Sequence, residues 1–571
     1  MSYEWHIAGN APAEFFRAAA PLHPLVAQVM FARGITLPAD ALAFVNGDGE
    51  TLHNPFLLKD MRRAAERILA AIANGEKIAI YGDYDCDGVT ACALMQTTLK
   101  ALGAHGEVYI PDRFEEGYGL NSAALTKLKG DGCSLVVTVD CGARAMPEAE
   151  HARQIGLDLI VTDHHELEPG LLPDALAVVN PNRPDCSYPF KKLAGVGVAY
   201  KLALALLSAK GETAFNPSSL LDLVAVGTVA DVVALTGENR ALVKDGLERL
   251  NAFPRLGLRA LMNAAKVKNP ITAQTIGFTL GPRLNAAGRL DTAKTAYELL
   301  IAEQDEWAHE LAQALNDRNA SRQLETAKVA KDAEARAMEG QNAADVALVF
   351  AAAQEYNAGV IGLAASRLLD KFHAPAVVVT IDPHRNEARG SCRSLSGFHI
   401  TEALDECKPL LLKHGGHAAA AGFTLRPENV GVLAAQLREI AAMQRPAGGW
   451  ARALQVDALI TRDDVLGKAY AALQSLEPHG EANPRPTFAV QGARVLTARR
   501  VGKGDENTAG QHLQMTLKLT HSNWSAIAFR KGERINEIPP GAKLDVAFQL
   551  DMNEFNGEKK LQLQVIDFKV N

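Results

Sequence analysis

The stretch YGDYDCDGVT at 81–90 sets three carboxylates, Asp83, Asp85 and Asp87, on alternate positions ahead of Gly88. Carboxylates that close repel one another, and their pKa values rise unless a cation sits among them. A divalent metal is the economical cation, and hard oxygen donors suit Mg2+ or Mn2+. The alternatives are a solvated acidic turn that caps the following helix, or the start of a calcium loop. Calcium drops out, because loop position 12, where a Glu belongs, is Leu94.

Further acids and histidines follow apolar runs. VTVDCGA carries Asp140, VTDHHE carries Asp163, His164 and His165, and VGTVADVVAL carries Asp231 as a single acid in an apolar stretch. A lone Asp after a strand is usually a helix cap, and a lone His a satisfied core group. Buried acids are costly unless paired or metal-bound, so the recurrence points to one shared site. Imidazole beside several carboxylates favours Mn2+ over a pure Mg2+ site. Five or six acids with one or two histidines exceed what one ion needs. Two metals sharing a bridging carboxylate, about 3.5–4 Å apart, would acidify a bridging water and neutralise charge in an in-line attack on phosphorus. The implied chemistry is phosphoester or phosphoanhydride hydrolysis.

The elements that must position these residues are legible around them. KIAIYG (77–82), EVYIP (107–111), SLVVTVD (134–140), LDLIVTD (157–163) and LAVVNP (176–181) are near-continuously apolar, the pattern of buried parallel strands. Helical segments at 89–102 and 147–155 lie between them, which predicts βαβ units and an α/β, doubly wound parallel sheet. Such sheets bind ligands beyond the carboxyl ends of their strands, where Asp83–Asp87, Asp140 and His164–His165 would converge. Residues 289–339 contain neither Gly nor Pro and predict one or two long helices bridging two domains. A second α/β segment follows at 345–445, with strands at 347–350 and 376–380, and RPAGGW (445–450) reads as a linker. Beyond it FAVQGARVL, HLQMTLKLT, KLDVAFQL and KLQLQVIDF alternate with period two, which predicts a small β-barrel.

Composition sets the outer bounds. At about 100–200 residues per domain, 571 residues allow roughly three to five domains. A hydrophobic share of 48% and a charged share of 22% exclude a disordered chain or a small disulfide-stapled one. Seven cysteines form no C-x-x-C pair and read as reduced thiols. The opening MSYEWHIAGN lacks a signal-peptide pattern, and the apolar stretches near 193–209 and 220–235 are interrupted by Lys201, Asp222 and Asp231. A soluble, cytoplasmic protein with no membrane association is expected. The net charge of −7 argues against binding nucleic acid by bulk positive charge. Residues 485–571, however, carry 13 Lys+Arg against 9 Asp+Glu, a local +4 that leaves −11 elsewhere. Arg494, Arg499, Arg500, Lys503, Arg530 and Lys531 lie there with Phe488, Trp524 and Phe529 nearby in sequence.

GDYDCDG, VDCGA, TDHH and VADVVAL, in this order, resemble the four motifs of the DHH phosphoesterase superfamily. GPRLNAAGR (281–289) and GGHAAAAGF (415–423) resemble its RecJ branch and that branch's DHHA1 domain, and the tail resembles an OB-fold. The resemblance, over about residues 50 to 571, implies a single-strand-specific 5′→3′ DNA exonuclease that works in recombination and repair with two Mn2+ or Mg2+ ions. It implies an N-terminal segment (1–60), a DHH catalytic domain (61–240), a helical connector (241–344), a DHHA1 domain (345–445) and an OB-fold-like DNA-binding domain (451–571). Carried over, Asp83, Asp85, Asp87, Asp140, His164 and Asp231 become the metal ligands, with Asp140 bridging. His165 would contact the scissile phosphate or assist proton transfer, and Asp163 would support the histidines. His417 and Arg289 resemble substrate-phosphate contacts. Arg113, Arg283, Ser391 and Arg393 resemble the set that receives a DNA 5′-phosphate. The partners implied are single-stranded DNA with a 5′ end, a single-stranded-DNA-binding protein and a RecQ-type helicase, for a monomeric enzyme. Two positions depart from the family pattern: Cys86, where a small residue such as Ala is expected, and Tyr356-Asn357, where Trp-His is frequent. The competing readings are a small-substrate DHH phosphodiesterase or pyrophosphatase, and a non-catalytic replication scaffold.

Overall fold

The computed structural model describes residues 3–47, 52–113, 116–117, 119–211, 213–290, 292–339, 346–354, 356–461, 466–502, 510–539, 541–555 and 557–571. Five parallel strands form the first sheet, in the order Gly106–Tyr109, Lys77–Tyr81, Cys133–Thr138, Asp158–Thr162, Ala177–Val179. Apart from the half-buried edge strand Gly106–Tyr109, their residues are mostly buried, as apolar runs covered by helices on both faces must be. The chain reverses its direction of travel across the sheet between Gly106–Tyr109 and Cys133–Thr138, on either side of Lys77–Tyr81. That topological switch point opens the crevice in which such sheets bind ligands.

Helix Cys86–Ala101 follows the first strand and is capped by Asp85, whose carboxylate accepts from the N–H groups of Asp87 and Gly88. A Cβ at Gly88 would lie 2.6 Å from the Asp83 backbone, so glycine lets the helix start close against the strand end. The apolar core of this lobe runs from Leu58 through Leu315. The expected connector at 241–344 is therefore largely part of the catalytic lobe: helix Gly237–Ala252 packs along Leu221–Ala230. Two helices occupy 289–339, the short Lys294–Leu300 and the 34-residue Asp305–Met338, after the end of Gly281–Leu290. Ala293, Ala296 and Leu299 of the shorter helix pack into the core.

The long helix leads to a second sheet of five strands, in the order Leu411–His417, Ala420–Leu425, Glu387–Arg393, Ala376–Asp382, Val349–Ala353. Only the last pair is parallel. The linker at 445–450 ends in a docked residue: Trp450 donates to the Ala347 carbonyl and stands edge-on to Phe398.

The C-terminal region is a closed five-stranded barrel made by Phe488–Val501, His512–Lys518, Asn523–Ala528, Glu558–Val570 and Lys543–Phe555, the last pairing back to the first. Strand Asn523–Ala528 went unread in sequence because NWSAIA alternates weakly. The expectation of one N-terminal segment at 1–60 is corrected. Phe15, Val26, Val29 and Met30 enter the barrel's core with Phe488, Phe548 and Phe568. Strand Glu4–Ile7 pairs in parallel with Ala453–Val456, and Trp5 Nε1 donates to the fully buried Asp567 at 3.0 Å. Leu58 and Met61, by contrast, belong to the catalytic core. Among the described residues no helix is long and apolar enough to cross a membrane.

Candidate metal centre

Asp83, Asp85 and Asp87 leave the end of strand Lys77–Tyr81, Asp140 follows Cys133–Thr138, and Asp163, His164 and His165 follow Asp158–Thr162. Asp231 arrives from the C-terminus of helix Leu221–Ala230. Together they form adjoining groups whose ligand-type atoms lie within 4.8 Å of one another: Asp83, Asp85 and Asp140; Asp87, His164 and Asp231; and Asp140, Asp163, His164 and His165. Asp140 joins the first to the third, and His164 joins the third to the second. His164 Nε2 lies 3.2 Å from Asp140 Oδ1, 3.6 Å from Asp231 Oδ2 and 3.9 Å from Asp87 Oδ2.

The electrostatics of the cluster are those of a site built around a cation. Burial, then the charge of Asp85, pushes Asp87 up to about 7; burial, then Asp87 and Asp85, pushes Asp231 up to about 9. Asp83 and Asp140 are raised well above the carboxylate range for the same reasons, burial first. Burial lowers His164 to about 4, which leaves a neutral imidazole able to ligate. Asp83 Oδ1, His164 Nε2 and Asp231 Oδ2 are buried without a hydrogen-bond partner, a costly state that a hard divalent cation relieves. The donor set of oxygens with one imidazole therefore fits Mn2+ or Mg2+.

Asp163 is fully hydrogen-bonded. Its Oδ1 accepts from the His164 and His165 N–H groups and contacts His165 Nδ1 at 2.8 Å, and its Oδ2 accepts from Ala143 N–H. Against the cost of burial, the His165 contact holds Asp163 below its ordinary pKa and raises His165. Several positioning residues went unread in sequence. Gly195 and Val196, opening helix Gly195–Lys210, donate their N–H groups to the two oxygens of Asp87 at 2.6 and 2.8 Å. Asn180 and Asn182 donate to the His165 and His164 carbonyls, and Asn285 accepts from Cys86 N–H. The only sequence signal for Gly195 was a glycine opening an apolar helix. Cys86 itself is buried in the core, and burial raises its thiol.

A cationic group lies beside the carboxylates, between the two α/β lobes. Arg113 covers the Tyr84 ring at 4.9 Å, and Arg289 Nη1 donates to Gly359 O of the second lobe at 3.3 Å. Burial, then the charges of Arg113, Arg322 and Arg393, lowers Arg289 to about 10. Arg393 Nη1 donates to Ser391 Oγ, and Arg283 is bonded to Asn316 and Thr279 O. Arg322, lowered by burial and then by Arg367 and Arg283, extends the group along the long helix and was not anticipated. Like charges gathered beside the carboxylate cluster suit a polyanion that bridges to bound metal. His417 is exposed at the end of Leu411–His417, where it pairs with Ala420, itself paired with Arg393, and its carbonyl accepts from Thr401. Tyr356 donates to Asp332, and Asn357 accepts from Gly359 N–H.

In the barrel, Phe488 is core rather than a strand contact, and Trp524 packs partly against that core. Phe529 is 49% exposed, and Arg499 bonds Gln514. Lys503, and Phe114, Glu115 and Tyr118 of the PDRFEEGYGL stretch, lie outside the described residues.

Comparison with known proteins agrees with this architecture. The profile of the DHH family, N-terminal domain, matches residues 77–228, that of the DHHA1 domain 345–443, and that of the RecJ OB domain 456–567. The chain is 41% identical over 549 residues to the single-stranded-DNA-specific exonuclease RecJ of Bacillus subtilis (strain 168), covering 96% of this chain and 68% of that protein. It is 33% identical to the protein of the same description from Escherichia coli (strain K12), with 96% of each chain covered. The crystal structure of RecJ in complex with Mn2+ from Thermus thermophilus superposes with a TM-score of 0.84 at 31% identity, covering 99% of this chain and 79% of that one.

Proposed function

The chain belongs to the RecJ family of single-stranded-DNA-specific exonucleases, and from that premise we propose that it degrades single-stranded DNA from the 5′ end by metal-assisted phosphodiester hydrolysis. It is an exonuclease of recombination and repair that works with Mn2+ or Mg2+. The observation that supports the chemistry best is the set of adjoining carboxylate and histidine groups, linked through Asp140 and His164, beside the buried Arg289.

Asp83, Asp85 and Asp140 would hold one ion, and Asp87, His164 and Asp231, with Asp140 between, a second. Bound metal supplies charge neutralisation at phosphorus and a water acidic enough to attack near neutral pH. The chain's own residues do the rest. The helix opening at Gly195 holds Asp87 through both oxygens and leaves it no rotameric freedom. Asp163 orients the His165 ring through Nδ1, turning Nε2 to a phosphate oxygen or to the departing 3′ oxygen. Arg113, Arg283, Ser391 and Arg393 would receive the terminal 5′-phosphate, which sets the polarity, with Arg289 and His417 on the substrate phosphates. The lobes meet at Arg289 and Gly359, and a passage bounded there favours one strand over two.

Strands of one sequence labelled at the 5′ or the 3′ end test this. Mononucleotide release from the 5′ label, abolished by a chelator, is the expected result; equal attack on both ends, or on blunt duplex, would sink it. Preference for a dinucleotide over a long strand would favour the small-substrate phosphodiesterase. Its cytoplasmic location, its monomeric state and its work beside a RecQ-type helicase and a single-stranded-DNA-binding protein rest on the family alone. Analytical ultracentrifugation and co-purification test them.

A further inference from the structure

Asp231 is held differently from the ligands around it. Asp87 is fixed through both oxygens by the Gly195 and Val196 N–H groups. Asp231 Oδ2 is buried without a hydrogen-bond partner, and the residue caps the end of its helix. Val232, which follows, is β-branched yet lies at φ 63°, a conformation that persists only where the surroundings enforce it. The place of this carboxylate is therefore set by whatever holds the loop from Asp231 to Thr236.

Two bodies hold it. From the catalytic lobe, Asn239 donates to the Ala234 and Lys192 carbonyls. Beside it the buried Glu238 accepts from Lys201 Nζ, the Tyr188 hydroxyl and the His53 N–H group. The other hold comes from the barrel body, whose core includes Leu473 and Leu476. Glu481 O accepts from Leu235 N–H at 2.9 Å, and Ser475 O accepts from Arg240 Nη2 at 2.9 Å. Arg240, 1% exposed, also lies 4.3 Å from the ring of Phe44, which packs on the barrel core. A Cβ at Gly480 would stand 2.6 Å from Leu235 Cδ1, so the two segments meet without slack. The barrel's side of the contact is itself tied down: Asn483 donates to the Leu476 and Pro478 carbonyls and accepts from Arg33. Leu235 stands four positions after Asp231, too short and too tethered a span to absorb a shift.

We propose that Arg240 is a positioning residue for the metal centre: with Ser475 and Glu481 of the barrel body it sets Asp231, and with it the affinity of the second ion. By linkage, uptake of that ion and docking of the barrel stabilise each other. The proposal deepens the exonuclease reading and rests on its two-ion site.

Calorimetric titration of the full chain with Mn2+ tests this. The unsubstituted chain takes up two ions. In Arg240→Met, which removes the bond to Ser475, one step weakens about fivefold or more and the other moves less than about twofold. Asp231→Asn weakens the same step, which assigns it. Gly480→Val, on the barrel's side of the contact, repeats the loss, and Arg240→Lys, which keeps a donor for Ser475 O, recovers most of it. Leu250→Ala, in the catalytic core of the same helix, lowers the melting temperature and leaves both steps in place, which separates positioning from lost stability. In chelator, the affinity of Arg240→Met for a single-stranded oligonucleotide moves less than about twofold. The Mn2+ concentration that half-saturates hydrolysis rises with the weakened step. Both steps unchanged in Arg240→Met and Gly480→Val, or an equal loss in Leu250→Ala, overturns the proposal. A single step in the unsubstituted chain overturns the two-ion reading and the proposal with it. Two steps without hydrolysis leave the positioning result standing and count against the exonuclease reading alone.

Discussion

Asp140 carries both the chemistry and the strain of the metal centre. Its backbone lies at φ 63°, in the left-handed region that Asp and Asn tolerate and most side chains do not. Asp140→Asn and Asp140→Ala should each lose metal-dependent hydrolysis by about a hundredfold or more. In chelator the two should part: the Asn variant melts at or above the unsubstituted chain, because one repelling carboxylate is gone, while the Ala variant loses about 1 kcal/mol to strain. Calorimetry in chelator reads the difference, and an Asn variant that melts well below the parent would show the carboxylate to be structural. The same scale shows how far sequence carries. Asp222 and Asp231 interrupt the same apolar stretch and are alike on inspection. Asp222 is bonded to Arg255, 33 residues on, and Asp231 faces His164. Only the fold distinguishes a paired acid from a ligand, and only the motif order singled out Asp231.

Among the elements, the sheet was readable because a doubly covered parallel strand must be apolar throughout, and the site because its acids stand where such strands end. The glycine and amide contacts that aim them were not, since they come from a helix more than a hundred residues away. A Cβ at Gly195 would collide with the Asp140 carboxylate. Gly195→Ala should therefore weaken Mn2+ binding about tenfold or more while leaving the thermal transition within a few degrees, as isothermal titration and melting will show. At the opposite end of the sheet, Arg67 of helix Met61–Ala73 bonds Glu76 and Asp158, and Ser134 donates to Glu76. The Arg67 bond, then that of Ser134, depresses Glu76 from 4.5 to about 2. A depressed folded pKa stabilises above the unfolded value, and that stability is lost as pH falls from about 4.5 through about 2. Glu76→Gln should remove about 1–2 kcal/mol at pH 7, allowing for solvent screening, and flatten the acid limb of the stability profile over that window. An acid limb unchanged in urea titrations from pH 6 to about 2 would count against the clamp.

At the scale of the whole molecule, the barrel is completed by the chain's first residues. Asp567 is fully buried and accepts from Trp5, Arg534 and the Tyr3 N–H group. Asp567→Asn, or removal of Trp5, leaves partners unsatisfied and should cost about 2–4 kcal/mol in the barrel. The loss should register as an earlier melting step with DNA binding impaired, while hydrolysis of a short oligonucleotide survives. No local pattern announced this arrangement, because Phe15 and Phe488 share one core across more than four hundred residues.

That separation also has a consequence in time. Phe15, Val26, Val29 and Met30 leave the ribosome well before their core partners Phe488, Phe548 and Phe568. At roughly 5–20 residues per second, the interval is on the order of 25–100 s. Both α/β lobes can be synthesised within it, while the first helices hold an apolar face with nothing yet made to cover it. During synthesis those helices are a natural place for a chaperone to bind, and they are where the nascent chain is most vulnerable.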